Sequence, residues 1–344
     1  MSISDTHRRQ RWSVLLLLSL LLVTPLAAET TLKFATLAPE GSSWITALRN
    51  MDTEIRALTE GQVQLKIYAG GVQGDEDVML RKVRIGQLQG VGLGGTGLSH
   101  VLPDVLALEM PFLFQNYDEI DYVLTQTSTF YQQAFLDAGF VLLGWSDIGF
   151  VYLLSQHPVR SVDDMSGHKV WRLQDEPLTG VLFEKAGVTS IPLTIPDVLL
   201  GLQTRLVDVV YASASAAIVL QWFTRVKYYT DLPINYAIGA FLLQRQVFDR
   251  LTEVQQRQLL EVSARHIGAH NRRSRSDNVE ALQIMQHQGV IAVTCPPAAV
   301  ASFKQLVEES KPDLIGHAFS NEAQEHVQRH LAEYRARIGT ADPR

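Results

Sequence analysis

Residues 31–97 read TLKFATLAPEGSSWITALRNMDTEIRALTEGQVQLKIYAGGVQGDEDVMLRKVRIGQLQGVGLGGTG, and their order of patterns decides the fold. TLKFATLA (31–38) is an apolar strand stopped by Pro39 and Gly41. An amphipathic helix is expected from about Ser43 to Leu58, with Ser42 or Ser43 as its N-cap. Gly61 ends that stretch, and VQLKIYAG (63–70) alternates apolar and polar residues as a second strand. A helix from about Glu76 to Ile85 leads to a third apolar run, QGVGLGG (89–95). This is β-α-β-α-β, the order that builds a parallel sheet covered by helices.

The same alternation continues downstream. FVLLGWSD (140–147) and VYLLSQ (151–156) read as strands of one unit. HKVWRLQ (168–174), a helix, TSIPLT (189–194) and VDVVYASAS (207–215) make another. A long pattern from Thr252 to Gln288 reads as a helix, and the C-terminal segment reads as helical too. At 344 residues the chain is long enough for two lobes of about 100–150 residues each. No Pro/Gly/Ser-rich boundary divides it, so the chain is expected to cross between lobes more than once. The expected division is residues 29–148 plus about 237–275 for lobe I, and 149–236 plus about 276–344, with the C-terminal helices, for lobe II.

Upstream, Arg8, Arg9 and Arg11 precede the apolar run VLLLLSLLLV (14–23), then Pro25 and the small pair Ala27 and Ala28. This is the order of a secretory signal peptide, with cleavage expected after Ala28, and the run is too short to span a bilayer. No cysteine lies at the cleavage site, so a lipid anchor is not expected. The only cysteine is Cys295, which rules out an intrachain disulfide. A free periplasmic protein is the expectation.

Thirty Lys and Arg against thirty-six Asp and Glu give a net charge of −6 without a basic stripe, which argues against a nucleic-acid partner. Enzyme signatures are sparse. Gly92-Leu93-Gly94-Gly95-Thr96-Gly97 matches the dinucleotide fingerprint G-x-G-x-x-G. The fingerprint needs a helix to open there and hold a pyrophosphate, but Pro103 stops any helix within two turns. A strand end that admits close approach of something to the backbone is the better reading. HExxH, GxSxG and GxxxxGK[ST] are absent, and the paired carboxylates Asp163-Asp164 and Glu308-Glu309 suit a helix start and a surface face. No cofactor, metal or catalytic residue is expected, and the protein is not read as an enzyme.

LKFATLAPEGSSW (32–44), YAGGVQGDED (68–77), LALEMPFLFQNYDEI (106–120), GWSDIGF (144–150), SVDDMSGHKVWRLQDEP (161–177) and GVTSIPLTIPDVLLGLQTRLVD (187–208) follow one another in an order and spacing that resembles one family. It is the DctP-type solute-binding proteins of tripartite ATP-independent periplasmic (TRAP) transporters. The resemblance implies a type II-like periplasmic binding protein fold, with two α/β lobes, a mixed sheet flanked by helices in each, and a long connecting helix. It also implies a cleft that closes on a small-molecule solute and a membrane permease as recipient. Family members grip a ligand carboxylate with an arginine, whose planar fork donates two parallel hydrogen bonds. Counted from Gly167 that position falls on Trp171, and counted back from Pro177 and Gly187 it falls on Arg172. A second family arginine is replaced by Val151, and a polar stretch by Tyr211 and Ala212. The cleft is therefore expected to be aromatic, with Trp44, Trp145, Trp171, Tyr211 and Trp222 as walls. Arg172, Asp147, Thr96 and Ser213 are the candidate polar groups. The ligand expected is a small organic solute, apolar or a monocarboxylate with a hydrophobic body. A solute sensor serving a signalling partner, or a periplasmic enzyme using the glycine cluster, are the alternatives.

Overall fold

The computed structural model describes residues 29–341, so the signal peptide expected at 1–28 lies outside the described residues. Strand β1 (Thr30–Thr36), helix α1 (Ser43–Leu58), β2 (Val63–Tyr68), α2 (Glu76–Arg84) and β3 (Gly90–Gly94) form the opening unit. The strand β1 lies between β2 and β3, parallel to both. Local capping fixes where the helices start. The Ser42 hydroxyl accepts from the Ile45 amide at 3.3 Å, and Asp75 accepts from Val78 at 2.8 Å.

At the glycine cluster a helix does open, but α3 (Gly95–Ser99) lasts only five residues before the turn into Pro103–Glu109. Helices α4 (Tyr117–Gln126) and α5 (Ser128–Asp137) follow. Then comes β4 (Phe140–Ser155), one 16-residue strand where the sequence suggests two. Gly149 adopts φ 117°, so the chain bends with a register shift instead of ending the strand. The second half begins with β5 (Val170–Leu173), α6 (Pro177–Lys185), β6 (Ser190–Leu193), α7 (Ile195–Gln203), β7 (Val209–Ser213) and α8 (Ala214–Val219). It continues through β8 (Tyr228–Thr230), β9 (Asn235–Gln244), α9 (Arg245–Phe248) and α10 (Glu253–His287). The chain closes with β10 (Ile291–Val293), α11 (Pro297–Leu314) and α12 (Asn321–Ala341).

All ten strands join one sheet, with the path β2-β1-β3-β9-β4-β7-β5-β6 and with β8 and β10 attached beside β4. The antiparallel pair β4–β9 is its spine. β4 goes on to pair β7, so the mixed sheets expected for separate lobes are continuous with each other. Helix α10, about 52 Å long at 1.5 Å per residue, lies across both halves. Its start is locked by a capping box between Thr252 and Gln255. Leu259, Val262 and Ile267 bury against the α1 and β1 core, whereas Ala281 and Met285 join the core around Trp171 and Val198. The C-terminal helices, both expected with the second lobe, divide. Helix α11 packs on α6, but α12 packs on α4 and on residues 103–109, because Ala323, Val327 and Leu331 complete the first half's core.

An ionic knot ties α10 to the spine. Arg275 donates from Nε to the Asp147 carboxylate and from Nη1 to Asp121 Oδ2 at 2.7 Å, with its guanidinium 4.5 Å from the Tyr117 ring centre. The Tyr236 hydroxyl donates to the other Asp147 oxygen. Asp147 is nearly inaccessible, and burial pushes its carboxyl upward while Arg275 and Tyr236 oppose that shift.

Candidate ligand-binding site

The two halves of the sheet meet around a mostly apolar cavity of about 230 Å³. Strands β5 and β7 set its aromatic wall. Trp171 stacks on Tyr211 with ring centres 4.6 Å apart and an interplanar angle of 29°, and Trp222 meets Trp171 edge-on at 5.2 Å. Polar tips are tied back. The Trp171 indole donates to the Leu193 carbonyl at 3.1 Å, and the Tyr211 hydroxyl accepts from the Leu173 amide at 3.1 Å. Phe112 also lines the cavity; its backbone is in the left-handed region, φ 57°, with its amide donating to the Ile234 carbonyl. A phenylalanine there is strained, and such strain persists where surrounding packing enforces it.

Three carboxylates line this apolar space. Glu76 Oε1 accepts from the Gly94 amide at 2.7 Å, and Glu109 Oε1 accepts from the Ile238 amide at 2.8 Å. Glu176 caps α6, accepting from the Leu178 and Thr179 amides at 2.8 Å each. Burial pushes the Glu76 carboxyl up to about 7, against hydrogen bonds from Gly94 and Gly97. Glu109 is pushed up to about 8 by burial, reinforced by the charges of Glu176 and Glu76. Glu176 is also raised by burial, with its hydrogen bonds to Thr179 and Leu178 working the other way.

These carboxylates explain the glycine motif. A Cβ on Gly95 would stand 2.1 Å from Glu109 Oε2, and one on Gly97 2.5 Å from Glu76 Oε2. What approaches the glycine backbone is the protein's own pair of acids. Gly95→Ala is therefore expected to cost about 1–3 kcal/mol through overpacking. Gly94→Ala, whose nearest neighbours would be at 3.7 Å, should cost less. Equal unfolding midpoints for the two variants in denaturant would refute this placement of Glu109.

Of the residues singled out in the sequence, Thr96, Trp171, Tyr211, Ser213 and Trp222 line the cavity. Trp44 and Asp147 line a second cavity of about 430 Å³, which shares Glu76, Gly94, Ile148 and Ser213 with the first. There Trp44 lies parallel to His270, whose pKa burial lowers to about 4. The Trp44 Nε1 and His270 Nδ1 atoms are buried without a hydrogen-bond partner among the described residues. Two expectations need correcting. Trp145 reaches neither cavity, because its position on β4 turns it into the first half's core, edge-on to Tyr131 and Phe135. Arg172 points to the opposite face of β5 from Trp171 and lines a surface groove beside Gly180 and Glu184. The three glutamates were not singled out. Glu109 carried the one available signal, a lone carboxylate inside the apolar run VLALEMPFLF (105–114).

Away from the cavity, His157, His168 and Asp208 offer ligating atoms within 4.8 Å of one another at the end where β4 finishes and β5 and β7 begin. His168 Nδ1 lies 3.4 Å from Asp208 Oδ2, and the other Asp208 oxygen accepts from the Lys169 amide at 2.8 Å.

An apolar cavity with a few converging polar groups, lying between two halves of a sheet, has the character of a small-molecule site. The family model for bacterial extracellular solute-binding protein, family 7 (DctP) matches residues 34–314. The chain belongs to that family, the solute-binding proteins of TRAP transporters. Among curated relatives it is 24% identical over 274 residues to the 2,3-diketo-L-gulonate-binding periplasmic protein YiaO of Escherichia coli, covering 78% of this chain and 82% of YiaO. A TRAP solute-binding protein of Xanthobacter autotrophicus, solved with β-D-galacturonate, superposes with a TM-score of 0.81 at 20% identity over 88% of this chain and 99% of that one. The sugar acid binding protein DctPAm of Advenella mimigardefordensis, solved with galactonate, gives 0.83 at 18% identity, covering 89% and 99%. Among the described residues no helix is long and apolar enough to cross a membrane.

Proposed function

We propose that this protein is a periplasmic receptor that captures a small organic solute with a largely apolar body in the cavity beside Trp171 and Tyr211. It then hands the solute to a TRAP membrane permease. One lobe is built around β1, β2 and β3, the other around β5, β6 and β7, and they close on the solute by flexing the segments that join them. The observation that carries the reading is the lining itself: an aromatic wall with Trp171, Tyr211, Trp222 and Phe112, and no Lys, Arg or His among its residues. The structural neighbours named above hold sugar acids, but at 18–20% identity what they show for this chain is the fold alone. With Arg172 on the outer face, a carboxylate would enter this cavity without a cation to receive it.

The test is a thermal-shift screen of small aromatic and aliphatic solutes beside galacturonate, glucuronate and succinate. A ligand at 100 times its Kd adds about 2.7 kcal/mol of stability. Aromatic or aliphatic solutes should raise the Tm and the acids should leave it unchanged. Trp171→Ala should abolish the shift, and Arg172→Ala should leave it within about twofold in affinity, as expected for a surface charge. A strong shift by succinate that disappears in Arg172→Ala would overturn the reading.

A further inference from the structure

We propose that the solute carries a cationic amine head group, received by Glu76 and Glu109, while its apolar body lies against Trp171, Tyr211 and Trp222. The inference rests on the reading of this cavity as the solute site and adds the charge of what enters.

Glu76 is anchored by the Gly94 and Gly97 amides, whereas Glu109 is anchored through one oxygen only, by the Ile238 amide. Glu109, only 8% exposed, has no partner for Oε2 among the described residues. It is a nearly buried acceptor left open beside Gly95, on the cavity wall. A third carboxylate, Glu176, stands in the same lining. Its oxygens are taken up by the Leu178 amide and by the Thr179 amide and hydroxyl. Those bonds oppose the upward shift that burial gives it, and they leave it without a free acceptor.

No Lys, Arg or His lines the cavity beside these three. Asp75, next to Glu76, is a further acid that caps α2. From β5, Arg172 is the one cation felt by Glu176, and it lies on the outer face. The adjoining cavity adds Asp147, Asp277 and Glu280, the first two already paired with Arg275 and Arg273, and His270, which burial keeps neutral. An apolar cavity that brings three acids together without a counter-ion makes their charged forms costly, and Glu76 and Glu109 are raised accordingly. The missing counter-charge has the chemistry of an ammonium, which donates to carboxylate oxygens and is attracted to aromatic faces. A carboxylate ligand would add a further negative charge beside acids whose own charged forms are already disfavoured.

Proton linkage has a definite sign here. Before binding, Glu109 and Glu76 titrate near 8 and 7. An ammonium placed between them lowers both values, so binding near neutral pH must expel protons. An anion would require both acids protonated and would take protons up. A neutral solute would do neither.

The experiment uses three probes of matched shape: 2-phenylethylamine, 2-phenylethanol and phenylacetate. Each is titrated calorimetrically into the mature protein in buffers of different ionisation enthalpy. The amine should bind about tenfold or more tighter than the other two, release protons, and gain affinity between about pH 6 and 8. Glu109→Gln should weaken amine binding about tenfold and diminish the proton release. Ala216→Trp, which fills the cavity and is checked for folding by thermal denaturation, should remove binding of all three probes. If phenylacetate or the alcohol binds as tightly as the amine and Ala216→Trp abolishes it, the amine head group is wrong and the cavity remains the solute site. Amine binding indifferent to Ala216→Trp would instead remove the cavity reading. Proton uptake, or no binding by any probe, overturns the amine assignment.

Discussion

Glu109→Gln should stabilise the unliganded protein, and the gain should grow with pH. The sign follows from linkage. Glu109 has its folded-state pKa raised from 4.5 to about 8 by burial beside two other acids. Between those values the native state holds a proton that the unfolded chain has released, so stability falls as pH rises. The contribution is fully present below about 4.5 and fully lost above about 8. Each tenfold difference in proton affinity between the folded and unfolded states is worth about 1.4 kcal/mol. The gain of the neutral isostere should therefore be small near pH 5 and reach about 4–5 kcal/mol near pH 8.5. His270 titrates in the opposite sense, with its folded pKa lowered to about 4. That stability is present above about 6.5 and lost as pH falls through 4, but it is common to both proteins and cancels in their difference. Denaturant titrations of wild type and variant at several pH values provide the measurement. Parallel pH profiles would mean that Glu109 is not held as a buried acid.

Arg275→Ala should be among the most destabilising single changes in the protein, at about 3–5 kcal/mol. The side chain of Asp147 is 2% exposed, and removing Arg275 leaves its carboxylate buried against Tyr236 with no cation. The same substitution takes away the ion pair to Asp121 on α4 and the contact with the Tyr117 ring. Adding Asp147→Asn to Arg275→Ala should recover much of the loss, because it removes the stranded charge. If the double variant is less stable than the single one, the desolvation argument fails.

Both predictions depend on residues that the sequence disclosed unequally. The opening β-α-β-α-β unit was legible to within two residues at every boundary. There the signals are local: alternation in VQLKIY, a serine or aspartate before each helix, and glycine after it. The long α10 was legible for the same reason. Strand β9 was not, because NYAIGAFLLQ is buried along almost its whole length and shows no alternation. Whether Trp171 or Arg172 faces the cavity is a question of strand parity, which one residue of slip reverses. The paired β5 and β6 register fixes it in space: Trp171 lies opposite Ile191, and its indole reaches Leu193. The acids were hidden for a different reason. Glu76 belongs to an acidic helix start that suits capping, and Glu176 to a turn before Pro177. Only the fold brings them to Glu109, on glycines that had suggested a nucleotide.

The ten paired positions of β4 and β9 constrain how the two halves can move. Sliding one strand along the other would break that ladder, so the compliant coordinate is flexure, as in a leaf spring. The ladder is softest at its register shifts, between Leu142 and Gly144 and between Asp147 and Gly149. At both places α10 leans on the glycine. A Cβ would stand 2.9 Å from Ile267 Cδ1 at Gly144, and 2.5 Å from the Asn278 amide nitrogen at Gly149. The spring thus has a stiffening rod clamped across its two weakest points. Any curvature of the spine must be matched by tilt of that helix, which turns local bending into a single coupled displacement of the outer surface.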